Sequence, residues 1–283
     1  MGSIRHLLEE AVTEDVTRAL REDIGTGDLT ANLVPADKTA HARVLTRQSG
    51  VLCGTEWFNR TFEEVDPDVE IFWHHKDGDA IVANSSLCEL EGRARGMLTA
   101  ERTALNFLQM LSGVATKTRQ FVLAVEGTNA KIYDTRKTLP GLRIAGKYAV
   151  SAGGGNNHRI GLYDAILIKE NHLMAAGGVK AAMAAALREA PEGTVVQVEV
   201  ETLDQLREAI AAGARLILLD NFDPMKMREA VKVAGKSAEL EASGGVTLKS
   251  VRAIAETGVH RISVGALTKD VEALDLSMRF THH

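Results

Sequence analysis

From about residue 130 the chain settles into a rhythm that few folds can accommodate. Short β-branched segments, "AKIYDT", "DAILIK", "TVVQVEVE", "RLILLD", "AELEAS" and "RISVGA", read as strands. The last four begin 21 to 23 residues apart. Between the later ones lie "TLDQLREAIAAG" and "TLKSVRAIAETG", apolar at helical spacing and each ending in Gly, the favoured residue just past a helix C-terminus. Strand and helix alternating at that period form βα units feeding a parallel sheet or barrel. The length left for them suits six or seven strands better than eight.

Residues before this region read differently. The helical opening "HLLEEAVTEDVTRALREDIG" leads into the turn "GTGDLT". Strand-like segments "HARVLTRQSGVLCG" and "VEIFWHHKDGDAI" follow, punctuated by Pro67 and Asp77-Gly78. A long helix is expected from about Thr99, a plausible N-cap, past Leu111. Ala104, Leu108, Leu111 and Ala115 would form its buried stripe, with Arg102, Asn106 and Gln109 on another face. The expected division is an α+β domain over 1–112 and an α/β barrel over 113–269. The alternating tail "DVEALDLSMRF" is expected as a last strand, with 270–283 returning to the first domain. The initial "MGS" and final "HH" read as cloning remnants.

In a βα barrel chemistry collects where strands end. The six ends carry Arg136 and Lys137; Lys169, Asn171 and His172; Glu199 and Glu201; Asp220 and Asn221; Ser243, Gly244 and Gly245; and Gly265 with Ala266. Strand interiors read as apolar by contrast. The segment "HRIGLYDAILIKENH" sets His158 and Arg159 before an apolar run from Leu162 to Ile168, read as a buried strand, and Lys169 and His172 after it. So much positive charge is notable in a chain whose formal net charge is -5. That mild acidity argues against nucleic acid as a partner, and no run approaches the roughly 20 apolar residues of a membrane span. Cys53 and Cys88 fall in no metal-ligand spacing and suit a reducing compartment, so a cytoplasmic location is expected. The Gly-bearing last two ends suit phosphate. Glu199 and Asp220 on adjacent strands suit a hard cation such as Mg²⁺. Arg136, Lys137, His158, Arg159 and Lys169 would face a second, carboxylate-bearing portion of the substrate.

Several longer stretches resemble one family. "ALREDIGTGDLT", "LTAERTALNFLQMLSGVAT", "DTRKTLPGLR", "KYAVSAGGGNNHRIGLYDAILIKENH", "EVE", "LLDNF" and "SGG" are similar to the quinolinate phosphoribosyltransferases, over essentially the whole chain. The resemblance implies an N-terminal α/β open sandwich beside an incomplete α/β barrel of the type II phosphoribosyltransferase kind. It implies transfer of phosphoribosyl from phosphoribosyl pyrophosphate to quinolinate with decarboxylation, in the presence of Mg²⁺. Arg136, His158, Arg159 and Lys169 would hold the dicarboxylate, with Thr135 near the ring. Arg102 would enter from the partner of a homodimer, which could assemble further into a hexamer. Lys137 would serve the pyrophosphate, and Glu199 and Asp220 the ribose and Mg²⁺. Backbone around Ser243, Gly244, Gly245, Gly265 and Ala266 would take the 5′-phosphate. Lys137, Lys169, Glu199 and Asp220 form the catalytic set. The resemblance fixes no roles for Asn171 and His172, and Glu201 is expected to be an ordinary exposed strand residue. Four other readings stay open: a non-decarboxylating relative acting on another pyridine or pyrimidine acid such as nicotinate, a Schiff-base aldolase using Lys169, a metabolite sensor without turnover, and a looser homologue linked to metal transport.

Overall fold

The computed structural model describes residues 4–281, so the terminal "MGS" and "HH" lie outside the described residues. In chain order the elements are α1 (Leu8–Ile24), β1 (Thr39–Thr46), β2 (Gly50–Val51), α2 (Thr55–Val65), β3 (Glu70–Trp73), β4 (Ala80–Ile81), β5 (Ser86–Arg93) and α3 (Ala94–Ala124). They continue with β6 (Lys131–Tyr133), α4 (Arg143–Ala152), β7 (Ala165–Ile168), α5 (Glu170–Ala176), α6 (Val179–Glu189), β8 (Val195–Val200), α7 (Leu203–Ala211) and β9 (Leu216–Asp220). The last are α8 (Pro224–Ala234), β10 (Glu239–Ser243), α9 (Val251–Ala255), β11 (Arg261–Ser263), α10 (Ala266–Lys269) and β12 (Leu276–Thr281). They form two compact units. One takes the chain up to Arg119 together with Leu139–Gly154 and the residues from Asp270; the other takes Gln120–Thr138 and Gly155–Lys269.

The first unit is built on an antiparallel sheet ordered β12-β1-β5-β3, with β2 and β4 paired separately. β1 shows why one face of the sheet is covered. Its alternate residues Ala42, Val44 and Thr46 are buried, while Arg43 between them is exposed. Helices supply the other half of the core: Phe58 and Phe62 of α2, and Met97, Leu105 and Leu108 of α3, pack with Val44, Leu87, Leu90 and Leu276. Phe58 lies edge-on to Trp73 with ring centroids 5.2 Å apart, a favoured aromatic geometry.

α3 starts five residues earlier than expected, so Thr99 is not its N-cap; its hydroxyl instead donates to Asp28 Oδ2 at 2.9 Å. Gly96 falls in the added first turn. It is helical, and a Cβ on it would stand 2.4 Å from Asp66 Oδ2, so the glycine admits a loop that Arg93 also grips. The expected stripe Ala104, Leu108, Leu111 and Ala115 is fully buried. Gln109, expected on the polar face, holds the returning tail: its side chain donates to Leu274 O at 2.9 Å and its carbonyl accepts from Leu274 N at 3.1 Å. One turn on, a Cβ at Gly113 would sit 2.1 Å from the Glu272 carbonyl oxygen. Gly113→Ala is therefore expected to lower stability by about 2 kcal/mol, because overpacking against backbone outweighs the roughly 1 kcal/mol of helix propensity gained. Thermal unfolding would register this as a fall in Tm.

The second unit is an incomplete α/β barrel: six parallel strands ordered β6-β11-β10-β9-β8-β7. Its two edges, β6 and β7, are the first and second strands in sequence. Beside β6 the missing neighbour is partly replaced by Asn156, which makes a single parallel bridge to Tyr133. Asn156 N–H donates to Ile132 O at 2.8 Å and its carbonyl accepts from Asp134 N at 3.0 Å. Local chemistry starts and stops the helices. Thr202 and Gln205 form a capping box on α7, and Asp223 with Pro224 opens α8, which Gly235 follows. Leu162 and Tyr163 depart from the expected buried run, standing 75% and 77% exposed. Asp164 turns the chain just before the strand, accepting from the backbone N–H of Ile160 and Gly161 at 2.8 and 2.9 Å. Among the described residues no helix is long and apolar enough to cross a membrane.

Candidate active site

In a parallel sheet, hydrogen-bonded partners face the same side. Glu199 is level with Leu218 and Leu218 with Glu241, so Gln197, Glu199, Leu218, Asp220, Glu241 and Ser243 share the inner face. The C-terminal ends of these strands bring the expected rim residues of this unit to one end of the sheet. Glu199 is mostly buried, and its Oε2 lies 3.8 Å from Lys169 Nζ, so Lys169 meets Glu199 across the strands rather than pairing with adjacent Glu170. Burial is the main cause that raises the Glu199 pKa; Lys169 opposes it, and the negative charges of Asp220, Glu201 and Glu170 add to it. A carboxylate crowded by another and served by only one exposed lysine is ready to accept a cation. An acidic pair of this kind suits a hard cation such as Mg²⁺, which is commonly held by one or two carboxylates with its other ligands from water and phosphate.

On the other side of the site two arginines lack what guanidinium groups need. Arg159 is only 8% exposed; its Nη1 donates to Ala165 O at 3.2 Å, while its Nε is buried without a partner. Arg136 Nε is likewise buried and unpartnered. Burial first, and then the charge of Arg136, push the Arg159 pKa down, with Asp164 partly compensating. Two like charges held together with orphaned donors describe an anion-binding site, since unpaired buried charge is costly.

The remaining expected residues fall as follows. Thr135 Oγ1 accepts from Lys137 N at 3.0 Å, shaping the turn after β6, and Lys137 is exposed, its carbonyl accepting from Thr268 Oγ1 at 2.8 Å. Gly265 lies against that lysine: a Cβ there would stand 3.1 Å from Lys137 Cδ. Gly244 and Gly245 have φ of 99° and 58°, the left-handed region, and a Cβ on Gly244 would collide with Asn221 Oδ1 at 2.1 Å. Asn221 itself is left-handed with φ 54° and donates through Nδ2 to Asp220 Oδ2 at 3.1 Å. Ala266 opens α10 directly after Gly265. His172 acquires a local role: Nδ1 accepts from Lys169 N at 2.9 Å, capping α5. Asn171 and Glu201 are exposed. Arg102 belongs to the first unit, exposed on α3 beside the equally exposed Asn106.

His158 sits deeper than the rim. It is 7% exposed, its Nε2 is 2.9 Å from Gln197 Oε1, and its Nδ1 accepts from Arg159 N at 2.9 Å. Gln197 Nε2 in turn donates to Glu241 Oε2 at 3.0 Å. Gln197 and Glu241 are 2% and 0% exposed. They overturn the expectation that the strand interiors are apolar, and they were not singled out from the sequence. Each stands two residues before a rim residue, Glu199 and Ser243, and that period-two spacing is the signal that would have found them.

A parallel sheet whose strand ends carry a carboxylate pair, in a unit with two arginines whose Nε atoms are buried and unpartnered, is the arrangement of an α/β enzyme for anionic substrates. The family models agree. Residues 28–112 match the quinolinate phosphoribosyl transferase N-terminal domain and residues 114–279 its C-terminal domain. The chain belongs to the quinolinate phosphoribosyltransferase family. It is 42% identical over 276 residues to the nicotinate-nucleotide pyrophosphorylase (carboxylating) of Mycobacterium leprae, covering 95% of this chain and 97% of the relative. It is 38% identical over 281 residues to quinolinate phosphoribosyltransferase (decarboxylating) 2b of Nicotiana tabacum, covering 92% and 80%. The solved nicotinate-nucleotide pyrophosphorylase of Francisella tularensis superposes with a TM-score of 0.96 at 45% identity, over 99% of this chain and 100% of that one. Human nicotinic acid phosphoribosyltransferase, at 15% identity and a TM-score of 0.66, shares the fold.

Proposed function

We propose that this chain transfers the phosphoribosyl group of phosphoribosyl pyrophosphate to quinolinate with loss of CO₂, giving nicotinate mononucleotide and pyrophosphate for NAD biosynthesis. The observation that carries this reading is the pair of arginines whose Nε atoms are buried and unpartnered, the half-buried Arg136 and the buried Arg159. They suit a substrate that brings two carboxylates. Lys169 completes the grip and Thr135 lies near the ring. His158 acts from behind, its ring being occupied on both nitrogens by Gln197 and Arg159.

Lys137 serves the pyrophosphate, and the backbone of Ser243–Gly245 and Gly265–Ala266 takes the 5′-phosphate, where glycines let the chain approach closely. Glu199 and Asp220 hold the ribose and Mg²⁺. When bound, Mg²⁺ supplies positive charge to the departing pyrophosphate. Holding both substrates in register makes the encounter of ring nitrogen and anomeric carbon local. As the C–O bond to pyrophosphate breaks, Glu199 and Asp220 face the positive charge growing on the ribose. The pyridine nitrogen then forms the new C–N bond. The positive charge on the adjacent pyridinium nitrogen stabilises the electron pair left at C2 when the 2-carboxylate departs as CO₂, and that pair takes up a proton. No nucleophilic side chain is required.

The working unit is a homodimer in which Arg102, exposed on α3, serves the site of a second copy. The buried free cysteines Cys53 and Cys88 support work in the reducing cytoplasm. The test is turnover with quinolinate, phosphoribosyl pyrophosphate and Mg²⁺, following nicotinate mononucleotide and CO₂ together and running nicotinate in parallel. The expected result is one CO₂ per product from quinolinate and little product from nicotinate. Product from nicotinate alone, or binding of quinolinate with no product, would sink the reading.

A further inference from the structure

A carboxylate with no exposed surface in the middle of a strand calls for an explanation, because a charge taken out of water has to be paired and hydrogen-bonded. Glu241 is such a group. Its Oε2 accepts from Gln197 Nε2, while its Oε1 has no hydrogen-bond partner and lies 3.5 Å from His158 Nε2. The three side chains come from β10, β8 and the segment that follows the edge bridge at Asn156. They therefore connect the continuous sheet to the stretch that carries Arg159.

The distances are met by one order of donors along this chain of contacts. A carboxylate only accepts, so Gln197 must turn its NH₂ toward Glu241 and its carbonyl toward the imidazole. The carbonyl then requires a proton on His158 Nε2. Nδ1 is already an acceptor, since the Arg159 backbone N–H points at it from 2.9 Å. Each contact thus selects the same neutral tautomer, with Nε2 protonated and Nδ1 bare. Were Gln197 to flip, its NH₂ would confront Nε2–H, the ring would favour the other tautomer, and Arg159 N–H would lose its acceptor. His158 N–H is fixed independently by Asp134 Oδ1 at 2.8 Å, so a change in the ring falls on Arg159 and not on the start of the segment.

We infer that Glu241 is a positioning residue that, through Gln197 and His158, fixes the backbone of Arg159 and so aims its guanidinium at a substrate carboxylate. The inference rests on the proposed reading only for the choice of quinolinate as probe. Glu241 is fully buried, and the contacts that run from it through Gln197 and His158 end at Arg159, in the proposed carboxylate half.

The experiment begins with the unmodified protein: long-range proton–nitrogen NMR of the histidine rings, with His158 assigned by the signal lost in H158Q. The expected spectrum has Nε2 protonated and Nδ1 bare; a ring protonated on Nδ1 would overturn the inference without any variant having to fold. Steady-state kinetics of E241L and Q197L then follow. Each should raise KM for quinolinate by about tenfold, with KM for phosphoribosyl pyrophosphate within about twofold of the parent. E241Q keeps an oxygen for Gln197 and should recover most of the quinolinate affinity. Folded leucine variants with an unchanged quinolinate KM, or E241Q as impaired as E241L, would overturn the positioning role. The ring spectrum needs no substrate, so absence of turnover would strike the functional reading alone.

Discussion

Arg159→Ala is expected to lower kcat/KM for quinolinate by about a hundredfold, equivalent to about 3 kcal/mol of lost transition-state binding. The figure follows from burial. Arg159 is held among groups that satisfy only part of its donor set, so a carboxylate placed there meets a desolvated, pre-aimed partner. Its deletion also leaves Arg136 without the neighbour whose charge helps define the pocket. The effect should appear mainly in KM for quinolinate, with KM for phosphoribosyl pyrophosphate little changed. Arg159→Lys should recover only part of the loss, because an ammonium cannot reproduce the planar fork. Steady-state kinetics with each substrate varied in turn checks this. Equal damage to both substrates would place Arg159 outside the carboxylate half.

Glu199→Gln should separate stability from activity. Burial, together with the negative charges of Asp220, Glu201 and Glu170, raises the Glu199 pKa above the usual carboxylate value. A raised folded-state pKa means the folded chain holds that proton more tightly than the unfolded chain. The associated stability is full below the unfolded-state value and is lost as pH rises through the folded-state one. At neutral pH the ionised group is therefore a burden, and the neutral amide should unfold at a higher temperature than the parent. That advantage should vanish in acid, where Glu199 is itself protonated. Activity should move the other way, with kcat reduced by about a hundredfold or more through loss of charge facing the ribose and the cation. Paired Tm and kcat measurements at neutral and acid pH test both signs. A less stable variant at neutral pH would contradict the electrostatic account of this rim.

The two predictions depend on residues of different legibility. Glu199, Asp220, Lys169 and Arg136 could be read because each ends a short apolar strand, and strand ends were recognisable from β-branched runs at a regular period. All six strands of the barrel form where expected. Glu241 and Gln197 escaped because one polar residue inside such a run looks like noise until its partners are known. Those partners, on other strands or beyond the edge of the sheet, are set by sheet order. The early start of α3 escaped too: Gly96, of a type that usually weakens a helix, is there because Asp66 comes too close for any side chain. Leu162 and Tyr163 misled because apolar character says nothing of the Asp164 turn that carries them outward.

The unclosed edge of the barrel has a consequence for how the enzyme can fail. β6 and β7 do not pair, and the seam beside β6 is stitched by Asn156, with Asn157 and His158 tied to Asp134 immediately after it. Arg159 is the next residue. The contacts that tie this segment to β6 and Asp134 therefore also place Arg159. Damage to the stitches should surface as lost substrate affinity well before the strand framework itself gives way.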